Sequence, residues 1–190
     1  PVLPPSGKIR GEINSKYSTN NMLIANSLMA EGNQNGFVWR ARGTYKSAAP
    51  YNTPSERIFN SAFNEKNAEA LVGVNRSWGY SHLHFSTWDS EIGLPEGERD
   101  AATGKLLDSG GNIATEEELL SRRVFIPYQD VSHNKFSLVN NIIVGGSQLR
   151  INAGWQQNER KEFSESAEGP ALWFNLNTVT YDAKYFFPQK

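Results

Sequence analysis

Apolar residues in this chain recur at every second position in one segment after another and hardly anywhere at helical spacing, which is the period of β-strands with two unlike faces. From Phe37 to Lys46, the residues Phe37, Trp39, Ala41, Gly43 and Tyr45 alternate with Val38, Arg40, Arg42, Thr44 and Lys46. One face is apolar and the other cationic. Lys8 to Tyr17 sets Ile9, Gly11, Ile13 and Tyr17 against Lys8, Arg10, Glu12, Asn14 and Lys16, and Leu149 to Gln156 sets Leu149, Ile151, Ala153 and Trp155 against Arg150, Asn152, Gly154 and Gln156. Weaker alternation covers about Met22 to Ala30, Ala68 to Arg76, Tyr80 to Trp88, Phe136 to Val144 and Leu172 to Phe187. The last has a phase break near Asn177 that predicts a bulge. The fold class expected is therefore all-β, an antiparallel β-barrel segment of about eight strands.

The connections alternate in length. Asn33-Gln34-Asn35-Gly36, Trp78-Gly79 and Gly145-Gly146-Ser147 carry the Gly and Asn of tight hairpin turns. Between them fall long connections, about Ser47 to Asn67, Asp89 to Asn134 and Asn158 to Pro170. If each strand runs antiparallel to the next, the tight turns share one rim and the long loops the other, with a short hairpin around Thr19-Asn20-Asn21 as the exception on the long side. Elaborating one rim is the habit of proteins that bind something there. In the longest loop, Thr115-Glu116-Glu117-Glu118 ahead of Leu119-Leu120 predicts a capped surface helix.

Alternation alone does not say which face is inside, since a soluble barrel turns its apolar face inward and a membrane barrel turns it outward. Three features favour the membrane: strands near the roughly 9 to 11 residues that cross a bilayer at a tilt, aromatics towards strand ends such as Phe37, Trp39, Tyr45 and Trp155, and a polar second face. Composition narrows the partners. Nineteen Lys and Arg against 20 Asp and Glu give a net charge of −1, which offers nucleic acid no general attraction. With no cysteine there is no disulfide, thiolate metal site or cysteine nucleophile. No Gly-x-Ser-x-Gly elbow is present and the three histidines have no recognisable nucleophile partner, so no enzyme is expected.

Candidate ligand-binding residues lie on both the strands and the loops. His82 and His84 share a strand face, the spacing of a bis-imidazole metal site, but imidazoles that hydrogen-bond to water or neighbouring chain fit it better, and no metal site or cofactor is assigned. Arg40, Arg42 and Lys46, joined across strands by Arg10, Lys8 and Arg150, form a candidate cationic track for an anionic ligand, with pairing to Glu12 or Glu69 as the plainer reading. Tyr51, Phe59, Phe63, Phe125 and Tyr128 are loop aromatics able to hold a flat ligand or simply to pack the loops. Glu96, Glu98, Asp100 and Asp108 lack the spacing of a calcium loop.

The stretches Phe125-Ile126-Pro127-Tyr128-Gln129-Asp130-Val131-Ser132-His133 and Gln157-Asn158-Glu159-Arg160-Lys161-Glu162-Phe163, with Gly36-Phe37-Val38-Trp39 and Val72-Gly73-Val74-Asn75-Arg76-Ser77-Trp78-Gly79, resemble the barrel of TonB-dependent outer-membrane receptors, with the flavour of iron-complex receptors from Bacteroidetes-like bacteria. The resemblance implies a bacterial outer-membrane location among lipid, a barrel of roughly 22 strands around a plug, and uptake of a scarce ligand such as a ferric siderophore. It also implies a partner, the TonB complex, acting through a plug domain that this chain does not contain. On that reading Pro4-Pro5 marks a linker after the plug, Pro188-Gln189-Lys190 after Phe187 is not the family's aromatic C-terminal end, and the chain is the first part of a barrel. The alternative is a small closed eight-stranded barrel, either a soluble lipocalin-like carrier or a structural outer-membrane protein. The closed form predicts pairing between the strand near Ile9 to Tyr17 and the strand near Val179 to Phe187.

Overall fold

A computed structural model describes residues 4–187, so the expectations placed on residues 1–3 and 188–190 lie outside the described residues. Eight antiparallel strands form one sheet in chain order: β1 (Lys8–Ser18), β2 (Leu23–Gln34), β3 (Phe37–Ala48), β4 (Phe63–Arg76), β5 (Gly79–Gly93), β6 (Tyr128–Val144), β7 (Ser147–Phe163) and β8 (Leu172–Phe186). The one described helix, α1 (Glu116–Leu120), has the predicted capping box, with the Thr115 side chain accepting from the Glu118 backbone N–H and the Glu118 carboxylate accepting in return from Thr115. Among the described residues no helix is long and apolar enough to cross a membrane.

The strands run to 17 residues, longer than the alternation suggested. In β4 to β7 the ladder continues towards the long-loop rim through polar stretches such as Thr87 to Gly93 and Gln156 to Phe163, where backbone hydrogen bonds persist without an apolar period to announce them. The long loops shrink accordingly to residues 49–62, 94–127 and 164–171. Tight turns and long loops do segregate to opposite rims, and the turn after β1 is the short exception.

Two expectations are corrected. The bulge near Asn177 is absent, since β7 and β8 pair without interruption from Gln148 opposite Phe186 to Glu162 opposite Leu172. The phase break is instead a change of face: Leu172, Phe174 and Leu176 point to the side opposite Val179, Tyr181 and Tyr185. The closing pair of the small barrel is also missing, because β1 pairs with β2, β8 pairs with β7, and the sheet is not closed by hydrogen bonds.

Asn35 and Gly36 both take positive φ, 49° and 78°, as do Gly145 and Gly146, 55° and 82°, which fits two-residue turns matched to strand twist. Gly79 is more constrained. Its φ is 127°, and a Cβ there would stand 1.9 Å from the Asn141 carbonyl oxygen of the neighbouring strand. A Gly79→Ala variant should lose on the order of 2 kcal/mol or more in an unfolding titration, since it meets both backbone strain and a backbone clash; a change under about 0.5 kcal/mol would contradict this account of the turn.

Candidate functional site

The register assigns every strand side chain to one of two faces. On the polar face, Arg10, Glu31 and Arg40 are direct cross-strand neighbours on β1, β2 and β3. Arg10 Nη2 lies 2.6 Å from Glu31 Oε1, and Arg40 Nε donates to Glu31 Oε2 at 2.6 Å. Glu31 is fully buried between the two guanidinium groups, and Met29, Val38 and Leu71 are buried on the same face. Arg42 stands 4.0 Å from Glu12, and Lys46 donates to Glu65 at 2.8 Å. Arg10, Arg40, Arg42 and Lys46 of the cationic track are therefore ion-paired, the plainer of the two readings, with Glu31 as the central carboxylate; of the expected partners Glu12 takes part and Glu69 does not, and Lys8 and Arg150 have no carboxylate partner among the described residues. Glu31 was missed because the alternation in β2 fades after Ala30; aligning Arg10, Glu31 and Arg40 across the hairpins would have found it.

Arg40 and His84 come together. They line a recess of about 250 Å³ on the polar face with Glu69, Leu71, Phe85, Ser86, Lys135 and Ser137. His82, one row nearer the tight turns, shares a 2.7 Å hydrogen bond with the Asn75 side chain, stacks on Tyr80 and meets His84 edge-on with ring centres 6.3 Å apart. Among the described residues no cluster of three or more His, Asp or Glu side chains is arranged to hold a metal ion. Arg150 is on the same face but at the tight-turn end, its guanidinium over the Phe186 ring and hydrogen-bonded to Gln148. The structure does not bring it to Arg40.

At the opposite rim the long loops build a cap with its own core, in which Phe59, Leu106 and Ala114 are buried and Ile58, Leu119 and Phe125 pack against them. Asn60 knits the segments together: its Nδ2 donates to the Pro127 carbonyl at 2.7 Å, and its Oδ1 accepts from the Phe125 backbone N–H at 3.0 Å. No sequence signal marks this asparagine. The cap reaches the first hairpin through paired Asn20–Asn52 hydrogen bonds and through Arg122, which donates to the Met22 carbonyl. Phe125 packs on Phe59, Tyr128 stacks on Phe163 at 4.6 Å, and Tyr51 is exposed. Phe125 and Tyr128 share a mouth pocket of about 450 Å³ with Arg123 and Glu91, and Tyr51 does not join them. Asp108, one of the loop acids, accepts from the backbone N–H groups of Gly110 and Asn112.

The apolar face is exposed: Ile13 is 79% accessible, Leu28 62%, Val72 46% and Val179 73%. Its limits run obliquely across the registered rows. The two rows that hold Tyr17, Ile24 and Tyr45, with Ser15, Asn26 and Ser47, on β1 to β3 become charged from β4 to β7, where they hold Lys66, Asp89, Glu91, Asp130, Glu159 and Lys161, and they end on Asn175 and Trp173 on β8. Conversely, the row of Ile142, Leu149 and Tyr185 on β6 to β8 holds Arg76 and Gly79 on β4 and β5. The apolar band thus descends from β1 to β7, where it ends upward on the ring ladder Phe85, Phe136 and Trp155, while on β8 the exposed Trp173 stands above it on the same face. A level belt across tilted strands has this form.

Comparison with known proteins finds no matching family model, no matching curated protein and no matching solved structure.

Removing the carboxylate between two guanidinium groups should be costly, because Glu31 is fully buried and its charge is what holds Arg10 and the 14%-accessible Arg40 at one level. Glu31→Gln is expected to lose about 3 kcal/mol in an unfolding titration; parity with wild type would remove this cluster from the account of stability. In the cap, Arg99 donates to Glu56 at 3.1 Å, and that hydrogen bond, helped by the guanidinium charge, lowers the Glu56 pKa below its ordinary 4.5. A lowered carboxyl pKa means that the contact is intact above pH 4.5 and is lost as pH falls through the depressed value. Arg99→Ala should therefore move the Glu56 carboxyl carbon titration upward, read by NMR; an unmoved midpoint would contradict the tether.

Proposed function

We propose that this chain is part of the wall of a bacterial outer-membrane β-barrel of the TonB-dependent receptor type, which captures a scarce ligand such as a ferric siderophore or other iron complex at the capped rim. The observation that carries the reading is the exposed apolar band descending obliquely across eight registered strands. In water such a face would be covered by a second layer, whereas hydrocarbon is a suitable solvent for it. A soluble carrier would bury Ile13, Leu28 and Val179 in its interior, and their exposure supports the membrane reading instead. A closed eight-stranded barrel would pair β1 with β8, and each pairs on one side alone among the described residues.

In lipid an unpaired strand edge costs several kcal/mol per group. On this reading both edges are joined by other strands of the receptor, a plug fills the polar side, and the TonB complex acts through that plug. The capped rim faces outward, where Phe125, Tyr128 and Arg123 offer aromatic and cationic contacts.

The absence of cysteine permits a clean test, since any introduced thiol is the one reactive group in the chain. In protein reconstituted into lipid vesicles, Leu28→Cys and Val72→Cys should react with a membrane-soluble maleimide and resist a charged one. Ser137→Cys and Gln156→Cys, on the polar face, should do the opposite. Equal reaction of all four with the charged reagent would overturn the membrane assignment.

A further inference from the structure

Many cations of the polar face are neutralised by carboxylates, whereas Lys8, Lys16 and Arg150 have no carboxylate partner among the described residues. Arg10 and Arg40 meet Glu31, Lys46 meets Glu65, and Lys184 meets Asp182 at 3.0 Å. The recess between β3 and β6 is distinguished by bringing a cation and an anion together without pairing them. Arg42, Glu69, Ser86 and Lys135 are consecutive cross-strand neighbours on β3, β4, β5 and β6, in the row beside Leu71, His84 and Ser137, with Arg42 turned to Glu12 at 4.0 Å. Among the described residues neither the Lys135 ammonium nor the Glu69 carboxylate has an ion-pair or hydrogen-bond partner, and the hydroxyls of Ser86 and Ser137 have none either. Two strand spacings separate the two charges at the backbone, roughly 10 Å, and both side chains border one recess whose floor is kept low by two serines.

One uncommitted cation and one uncommitted anion across a shared recess of about 250 Å³ are complementary to a ligand that carries both charges itself. We propose that this recess binds a small zwitterion of about dipeptide size. Its carboxylate is held by Lys135 with Ser137 and His84 beside it, and its ammonium is held by Glu69, with Ser86 beneath the linking atoms. A simple anion would leave Glu69 facing it, and a simple cation would meet Lys135 and Arg40. The shared charge pattern therefore selects against both. The site uses only polar-face residues of the central strands, so it stands whether or not the apolar face is in a bilayer.

The test is calorimetric titration of the full chain in detergent solution with alanyl-alanine, its N-acetyl derivative and its C-terminal amide. The expected result is that alanyl-alanine binds and that each capped form binds at least about tenfold more weakly. Lys135→Ala should weaken alanyl-alanine by about the same factor while leaving the amide's weak binding unchanged, and Lys135→Arg should restore binding. Glu69→Gln should mirror this with the N-acetyl form. Absence of binding at roughly 10 mM, or equal binding of the capped forms, would overturn the proposal. Because the capped ligands need only the unaltered protein, the comparison decides the matter even if a variant misfolds. A negative result here leaves the thiol-labelling result above intact, and the reverse also holds.

Discussion

Everything in this molecule depends on an unbroken antiparallel register. A slip of one residue anywhere in the ladder would send every later side chain to the opposite face, turning Trp155 and Val179 to the polar side and Gly154 and Thr180 to the apolar one. No second layer of the described chain covers the apolar face to correct such an error. Register is instead held from within: by turns whose residues accept positive φ at Asn35-Gly36 and Gly145-Gly146, by the Gly79 contact with Asn141, and by the Arg10–Glu31–Arg40 cluster that locks three strands at one level.

That cluster illustrates how an unusual sheet is stabilised. A globular domain gathers its apolar side chains in one dry centre, but here the apolar core of Phe59, Leu106 and Ala114 lies in the cap, and the sheet's own buried groups include a carboxylate. Burial of Glu31 is tolerable because two guanidinium charges neutralise it, Arg40 donating to Oε2 and Arg10 standing 2.6 Å from Oε1; the same burial would be prohibitive alone. The oblique apolar band follows from the same register. Tilting the strands moves the band down the rows from one strand to the next, so the polarity of each position depends on both its face and its place along the sheet.

Much of this was legible in the sequence. Strict alternation at Phe37 to Lys46 and Leu149 to Gln156 located strands and faces, glycine pairs located the turns, and Thr115 with Glu118 located the helix. What was hidden has common physical causes. The polar ends of β4 to β7 are held by backbone hydrogen bonds, which leave no trace in side-chain pattern. The face change in β8 looks like a bulge because a change of face and an inserted residue produce the same phase shift. The site was only partly legible: Arg40, His84 and Glu69 were found by type, but Ser86 and Lys135 join them through cross-strand register. Asn60 is likewise ordinary in sequence and central in space, since its partners Phe125 and Pro127 lie some sixty residues away.

The account's central claim is that the apolar face meets hydrocarbon and the polar face meets water. The tryptophans report on it directly, because Trp39 and Trp155 share the apolar face while Trp88 points to the polar one. In variants retaining one of these three, reconstituted into vesicles of lipid brominated along the acyl chain, Trp39 and Trp155 fluorescence should be strongly quenched and Trp88 fluorescence little changed. Quenching of Trp88 alone, or of none of the three, would contradict it.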